Sequence, residues 1–116
     1  MNCPEEHELI WLFESEPVLM DPGERWYYNT ATFTTRRASD QVACAISPSY
    51  GDLEVWWERD GNEILHVALS GIESVRVVRE SGAELLEATF AEEKRLQPFL
   101  LRLKPTVHIS WGTTIQ

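Results

Sequence analysis

The sequence predicts a mainly β protein of α+β type: an antiparallel β-barrel or two-layer sandwich of about eight short strands, with one short helix near 39–47. Three observations carry this expectation. An Asp60-Gly61 pair stands between two alternating runs, a strong local hairpin signal. Further short segments rich in β-branched and aromatic residues recur along the chain. Tight-turn chemistry separates them at Asp21-Pro22-Gly23, Ser70-Gly71 and Glu80-Ser81-Gly82-Ala83.

From residue 4 to residue 16 two readings compete. Pro4 with Glu5 and Glu6 suits the first turn of a helix, while the unbroken run Leu9 to Phe13, ended before Pro17, suits a strand buried on both faces. The strand is preferred, because the turn at 21–23 returns the chain toward it. Arg25 to Thr35 then reads as its partner strand. Ser39 as N-cap and Asp40 in the first turn place the helix, which would turn Val42, Ala45 and Ile46 inward.

Asp52 to Leu69 is the organising hairpin, and its register decides which side chains share a face. A two-residue loop would set Glu58 against Glu63, a like-charge pair that weakens a sheet. A three-residue loop, Arg59-Asp60-Gly61, pairs Val55 with Leu65 and Leu53 with Val67 instead, and is preferred. It gathers Leu53, Val55, Trp57, Leu65, Val67 and Leu69 on one face. The other carries Glu54, Trp56, Glu58, Ile64, His66 and Ala68. Strands follow at 72–79, 84–90, 98–104 and 107–111, the next-to-last ended or edged by Pro105.

The length of 116 residues fits one compact domain, 1–116. With 43% hydrophobic and 25% charged residues the chain reads as soluble and globular rather than disordered. The apolar run at 9–13 falls far short of the roughly 20 residues of a spanning helix, and acids rather than bases precede it, so neither a membrane span nor a secretory signal is expected. Cys3 and Cys44 lack metal or redox spacing. Cys3 falls in a terminus read as mobile, Cys44 sits in an alternating stretch that suggests a core position, and a cytoplasmic protein without a disulfide is expected.

The net charge is −9, and its placement says more than its size. Residues 1–24 hold seven acids and no Lys or Arg, whereas beyond Glu93 come Lys94, Arg95, Arg102 and Lys104 with no acid. Either the two ends meet and compensate, or the acidic end is a docking surface for a basic partner. The overall sign opposes nucleic-acid binding.

Glu54, Trp56, Glu58 and His66 are the candidate binding residues. A carboxylate beside an imidazole can move protons, and an exposed indole is a common interface anchor. The plain alternative is the solvated side of a half-buried sheet. His7, His66 and His108 have no paired spacing, and no nucleophile elbow or phosphate loop occurs, so no metal, cofactor or catalytic residue is assigned. Of the five tryptophans, Trp57 and Trp111 are expected in the core.

The resulting expectation is a non-enzymatic, acidic protein-interaction module of the inhibitor, immunity or adaptor kind that binds a basic partner. Two alternatives stay open: a small barrel holding an apolar or aromatic small molecule, with or without weak acid-base chemistry at His66, and a self-assembling structural protein.

Overall fold

The computed structural model describes residues 1–113. Two antiparallel sheets face each other. The first contains β1 (Val18–Leu19), β2 (Ala31–Arg37), β3 (Asp40–Ser47), β4 (Asp52–Arg59) and β5 (Asn62–Leu69), in that order. The second contains β6 (Ile72–Glu80), β7 (Ala83–Phe90), β8 (Phe99–Lys104) and β9 (His108–Ser110), also in chain order. Each sheet is a meander, and the Ser70-Gly71 bend carries the chain from one to the other. The expected two-layer sandwich of short strands with one short helix is what forms; the helix, however, lies at the start of the chain.

That helix, α1 (Glu6–Phe13), replaces the strand expected at 4–16. Leu9, Leu12 and Phe13 are fully buried at helical spacing, while Trp11 remains 38% exposed, so the apolar run is not covered on all sides as a central strand would need. The Arg79 guanidinium lies 3.8 Å from the centre of the Trp11 ring and covers it instead. Glu8 accepts a hydrogen bond from the Glu5 backbone N–H at 2.8 Å, satisfying one free donor at the helix start. Glu14, in the left-handed region at φ 57°, ends the helix.

The helix expected near 39–47 is strand β3. Val42, Cys44 and Ile46 point into the core and Ala43 and Ala45 point away, a period of two that prevails over the helix propensity of alanine. Ser39 belongs to a tight turn in which Arg37 pairs with Asp40. Residues 26–28 form a single 3-10 turn, so the second strand starts at Ala31 rather than near Arg25.

The organising hairpin closes with a two-residue turn, Asp60 and Gly61 both at positive φ, and not with the expected three-residue loop. Glu58 does face Glu63; both are exposed, where water and salt screen the repulsion. A bulge at Ile64 then shifts the register, so that Trp57 faces Leu65, Val55 faces Val67 and Leu53 faces Leu69. The specific pairs differ from expectation, yet both faces hold the expected side chains, because the bulge restores the parity that the shorter turn removes.

The core joins Leu9, Leu12 and Phe13 of α1 to Phe33, Ile46, Leu53 and Val55 of the first sheet and to Leu86, Phe99, Leu101 and Leu103 of the second. Phe13 stacks on Phe33 with ring centres 5.3 Å apart, and Trp26 meets Phe33 edge-on at 6.2 Å. Trp57 is partly buried against this core, but Trp111, expected inside, is 44% exposed and only leans on Phe99. Cys3 packs against the core rather than hanging free, and burial pushes its thiol pKa up to about 11. Cys44 is fully buried, its pKa raised for the same reason, and both thiols are unpaired. No helix among the described residues is long and apolar enough to cross a membrane.

Candidate interaction surface

The outward face of the five-stranded sheet is built in rows by the strand registers. One row runs Thr34, Ala43, Trp56, His66; the next runs Thr32, Ala45, Glu54, Ala68. Because β3 offers only small side chains there, the large groups of β4 and β5 stand beside a low strip. Trp56 and His66 are direct cross-strand partners, and their rings stack nearly parallel, 5.2 Å apart at 14°. His66 Nε2 donates to Glu54 Oε2 at 2.6 Å.

Three of the four candidate residues therefore form one contact group: Glu54 holds the imidazole and the imidazole lies on the indole. The Glu54 and His66 side chains are both well exposed, at 38% and 43%, so the pair is open to water. Glu58 lies one row further along, beside Gln41 and facing Glu63, and is not part of the group. What this surface can do chemically is attract cations and offer a flat ring for contact.

The charges on this face are one-sided. Among the described residues Asp52, Glu54, Glu58 and Glu63 point outward against a single guanidinium, Arg36, which donates to the Gln41 side chain at 2.5 Å. On the outward face of the second sheet Arg76 is paired with Glu87, and Arg102 donates to the Thr106 carbonyl and hydroxyl, both at 3.0 Å. Among the described residues that face shows no comparable acidic excess. The acidic start and basic end of the chain do meet in one place, where Lys104 lies 2.7 Å from Glu14; Glu84 is 3.3 Å away on its other side, an ion pair without hydrogen-bond alignment. Lys104 and Arg37 beside it hold the Glu14 carboxyl below its ordinary range. Glu5, Glu6 and Glu8 form no such pairs among the described residues.

Two features escaped the sequence reading. Asp40, expected in a helix, receives the Trp57 indole N–H at 2.8 Å and Arg59 Nε at 2.9 Å, which fixes the start of β3 to the end of β4. The Arg59 hydrogen bond, then the Trp57 one, lowers its pKa. An open depression of about 410 Å³ also lies at the Ala45 end of the outward face, beside Met20. Its signal was the alternation within 40–47, legible only once that segment is read as a strand. No group of three or more His, Cys, Asp or Glu is arranged to hold a metal ion among the described residues.

No protein-family model matches the chain, and no curated protein matches it either. Among solved structures, a chain of the contact-dependent growth inhibition toxin–immunity protein complex from Klebsiella pneumoniae 342 is similar to it, with a TM-score of 0.82 and 23% sequence identity. The match covers 97% of this chain and 96% of that one. At that identity the likeness is one of fold: the whole sandwich, helix included, is an architecture found in a toxin–immunity complex.

Proposed function

We propose that this chain is a non-enzymatic, immunity-type protein that binds a growth-inhibition toxin and neutralises it by occlusion. The observation that carries the reading is the likeness in fold, along nearly the full length of both chains, to a chain of a toxin–immunity complex. The surface supports the inhibitor's role of the two. Occlusion needs a complementary face rather than a reaction centre, and the outward face of the first sheet combines a stacked aromatic pair with carboxylates that pair with no Lys or Arg among the described residues. A basic toxin is the partner such a face suits. Free Cys3 and Cys44 fit a reducing compartment, which supports an encounter in the cytoplasm.

The test is calorimetric titration of the chain with the toxin domain of the growth-inhibition system from its own source, at low and high salt, alongside coexpression of the two. The expected outcome is tight binding that weakens with salt, and growth restored in cells making the toxin. Trp56→Ala should reduce binding by about 1–2 kcal/mol. A chain that neither binds nor protects would sink the reading. Tight binding indifferent to Trp56→Ala would move the contact to another face.

A further inference from the structure

We propose that the open depression at the Ala45 end of the outward sheet face is an anchor pocket for one arginine or lysine side chain presented by a protein partner. The inference rests on the immunity reading only for the identity of that partner.

Its lining has one sign of charge. Among the described residues Asp52 and Glu54 are the only ionisable groups that line it, and no Lys, Arg or His does. Asp52 has no ion pair among the described residues, and Glu54 spends one oxygen on His66, leaving Oε1 open. The two acids are two positions apart on β4, so both project from the same side, about 7 Å apart along the strand. A planar guanidinium with donors in a fork spans such a pair.

The remaining walls suit the stem that carries the cation. Met20 is 77% exposed at one side, Ala68 lies at the other, and Ala45 keeps the floor low. An exposed thioether and methyl groups receive methylenes while the charged head reaches the acids. Ser47 and Thr30 share a hydrogen bond of 2.7 Å at the far end, which leaves hydroxyl lone pairs free to accept from a further N–H.

A second depression of about 430 Å³, between α1 and β6, provides the internal contrast. There Trp11 already has a resident cation, since Arg79 lies over the indole, and Glu8 and His7 line the site as well. A partner's base would have to displace Arg79. At the Ala45 depression no Lys or Arg among the described residues plays that part, and His66 engages only Oε2 of Glu54, so charge complementarity selects a basic side chain as the occupant.

The experiment is a two-dimensional NMR titration of the nitrogen-15-labelled chain with a capped tripeptide, alanine-arginine-alanine, and with the same peptide carrying citrulline, which keeps the shape and removes the charge. Saturable shifts at the amides of Ala45, Asp52, Glu54 and Ala68 are expected with arginine and not with citrulline. Ala45→Leu, which fills the floor from the solvent side, and Asp52→Asn should each abolish them while the rest of the spectrum stays folded. Equal shifts with both peptides, shifts centred on Glu5 to Glu8 instead, or none at these four amides would overturn the pocket.

With the toxin itself, Asp52→Asn combined with Glu54→Gln should weaken binding by about thirtyfold or more. Toxin binding unaffected by these changes and by Ala45→Leu would remove the pocket and leave the immunity reading standing. Arginine-specific shifts without toxin binding would do the reverse.

Discussion

Asp40 shows how much one side chain can organise. It stands at the first position of β3, takes the indole N–H of Trp57 and the guanidinium of Arg59, and thereby closes the end of the sheet next to the Asp60-Gly61 turn. Its folded-state pKa is lowered by those two donors, chiefly Arg59, so its contribution is present above the unfolded carboxylate value of about 3.9 and is lost as pH falls through the lower folded value. Asp40→Asn should therefore destabilise the chain by a small margin at neutral pH. In urea titrations the gap to wild type should close in acid, and a gap independent of pH would show that geometry rather than charge holds this corner.

None of this was legible where Asp40 was read as a helix first-turn residue. The group of Glu54, Trp56 and His66 was legible, because alternation puts Glu54 and Trp56 on one face and the expected three-residue loop has the same parity as the actual two-residue turn with its bulge, which adds His66. Their stacking and the hydrogen bond to Glu54 were not, since each depends on a register set by a bulge that composition does not reveal.

Turns govern the elements, and here the backbone separates demanding positions from permissive ones. Gly51, at φ +71°, ends the β3–β4 connection, and its carbonyl accepts the Ile72 N–H at 3.0 Å, tying the first sheet to the start of the second. A Cβ at Gly51 would lie 3.1 Å from the Ile72 carbonyl oxygen, whereas one at Gly61 or Gly82 would meet nothing within 4 Å. All three positions have positive φ, which disfavours alanine by about 1–2 kcal/mol. Gly51→Ala should exceed that because the backbone must also give way. Equilibrium unfolding of the three variants checks the order, and equal losses would mean that the contact relaxes freely.

Element type was readable where alternation was clean, from residue 52 onward, and misread where two signals overlapped. In 4–16 the buried stripe of Leu9, Leu12 and Phe13 was masked by Ile10 and Trp11, which make the run look continuous. In 39–47 the alternation of Val42, Cys44 and Ile46 was masked by alanines and by a serine placed like an N-cap. In both cases burial against distant strands, which no local window contains, decided the outcome.

At the scale of the whole molecule, the two meanders could in principle melt apart, since each is paired only within itself. The shared core and the helix oppose this: both sheets bury side chains in one cluster, and α1 packs on β2 of one sheet and β6 of the other, with Phe13 against Phe33. Phe33→Ala should cost about 3–5 kcal/mol and leave a single unfolding transition, with near- and far-ultraviolet circular dichroism lost together. Two separate transitions would show sheets that fold independently. At this scale the antiparallel β architecture was readable, as a barrel or a two-layer sandwich, because its many short strands left few other ways to bury their apolar faces.

The bulge at Ile64 has a consequence for how such chains can vary in length. On either side of it the pairs Glu58 with Glu63 and Trp57 with Leu65 would become consecutive if residue 64 were missing, with every later pair unchanged. Ile64 is thus a one-residue insertion already accommodated, its side chain 49% exposed. A chain lacking it should fold with the same core and the same outward face, by amide spectra and melting temperature. Removing His66 instead should reverse the orientation of the residues on one side of the gap. Related chains should differ by a gap at position 64 far more readily than at its neighbours.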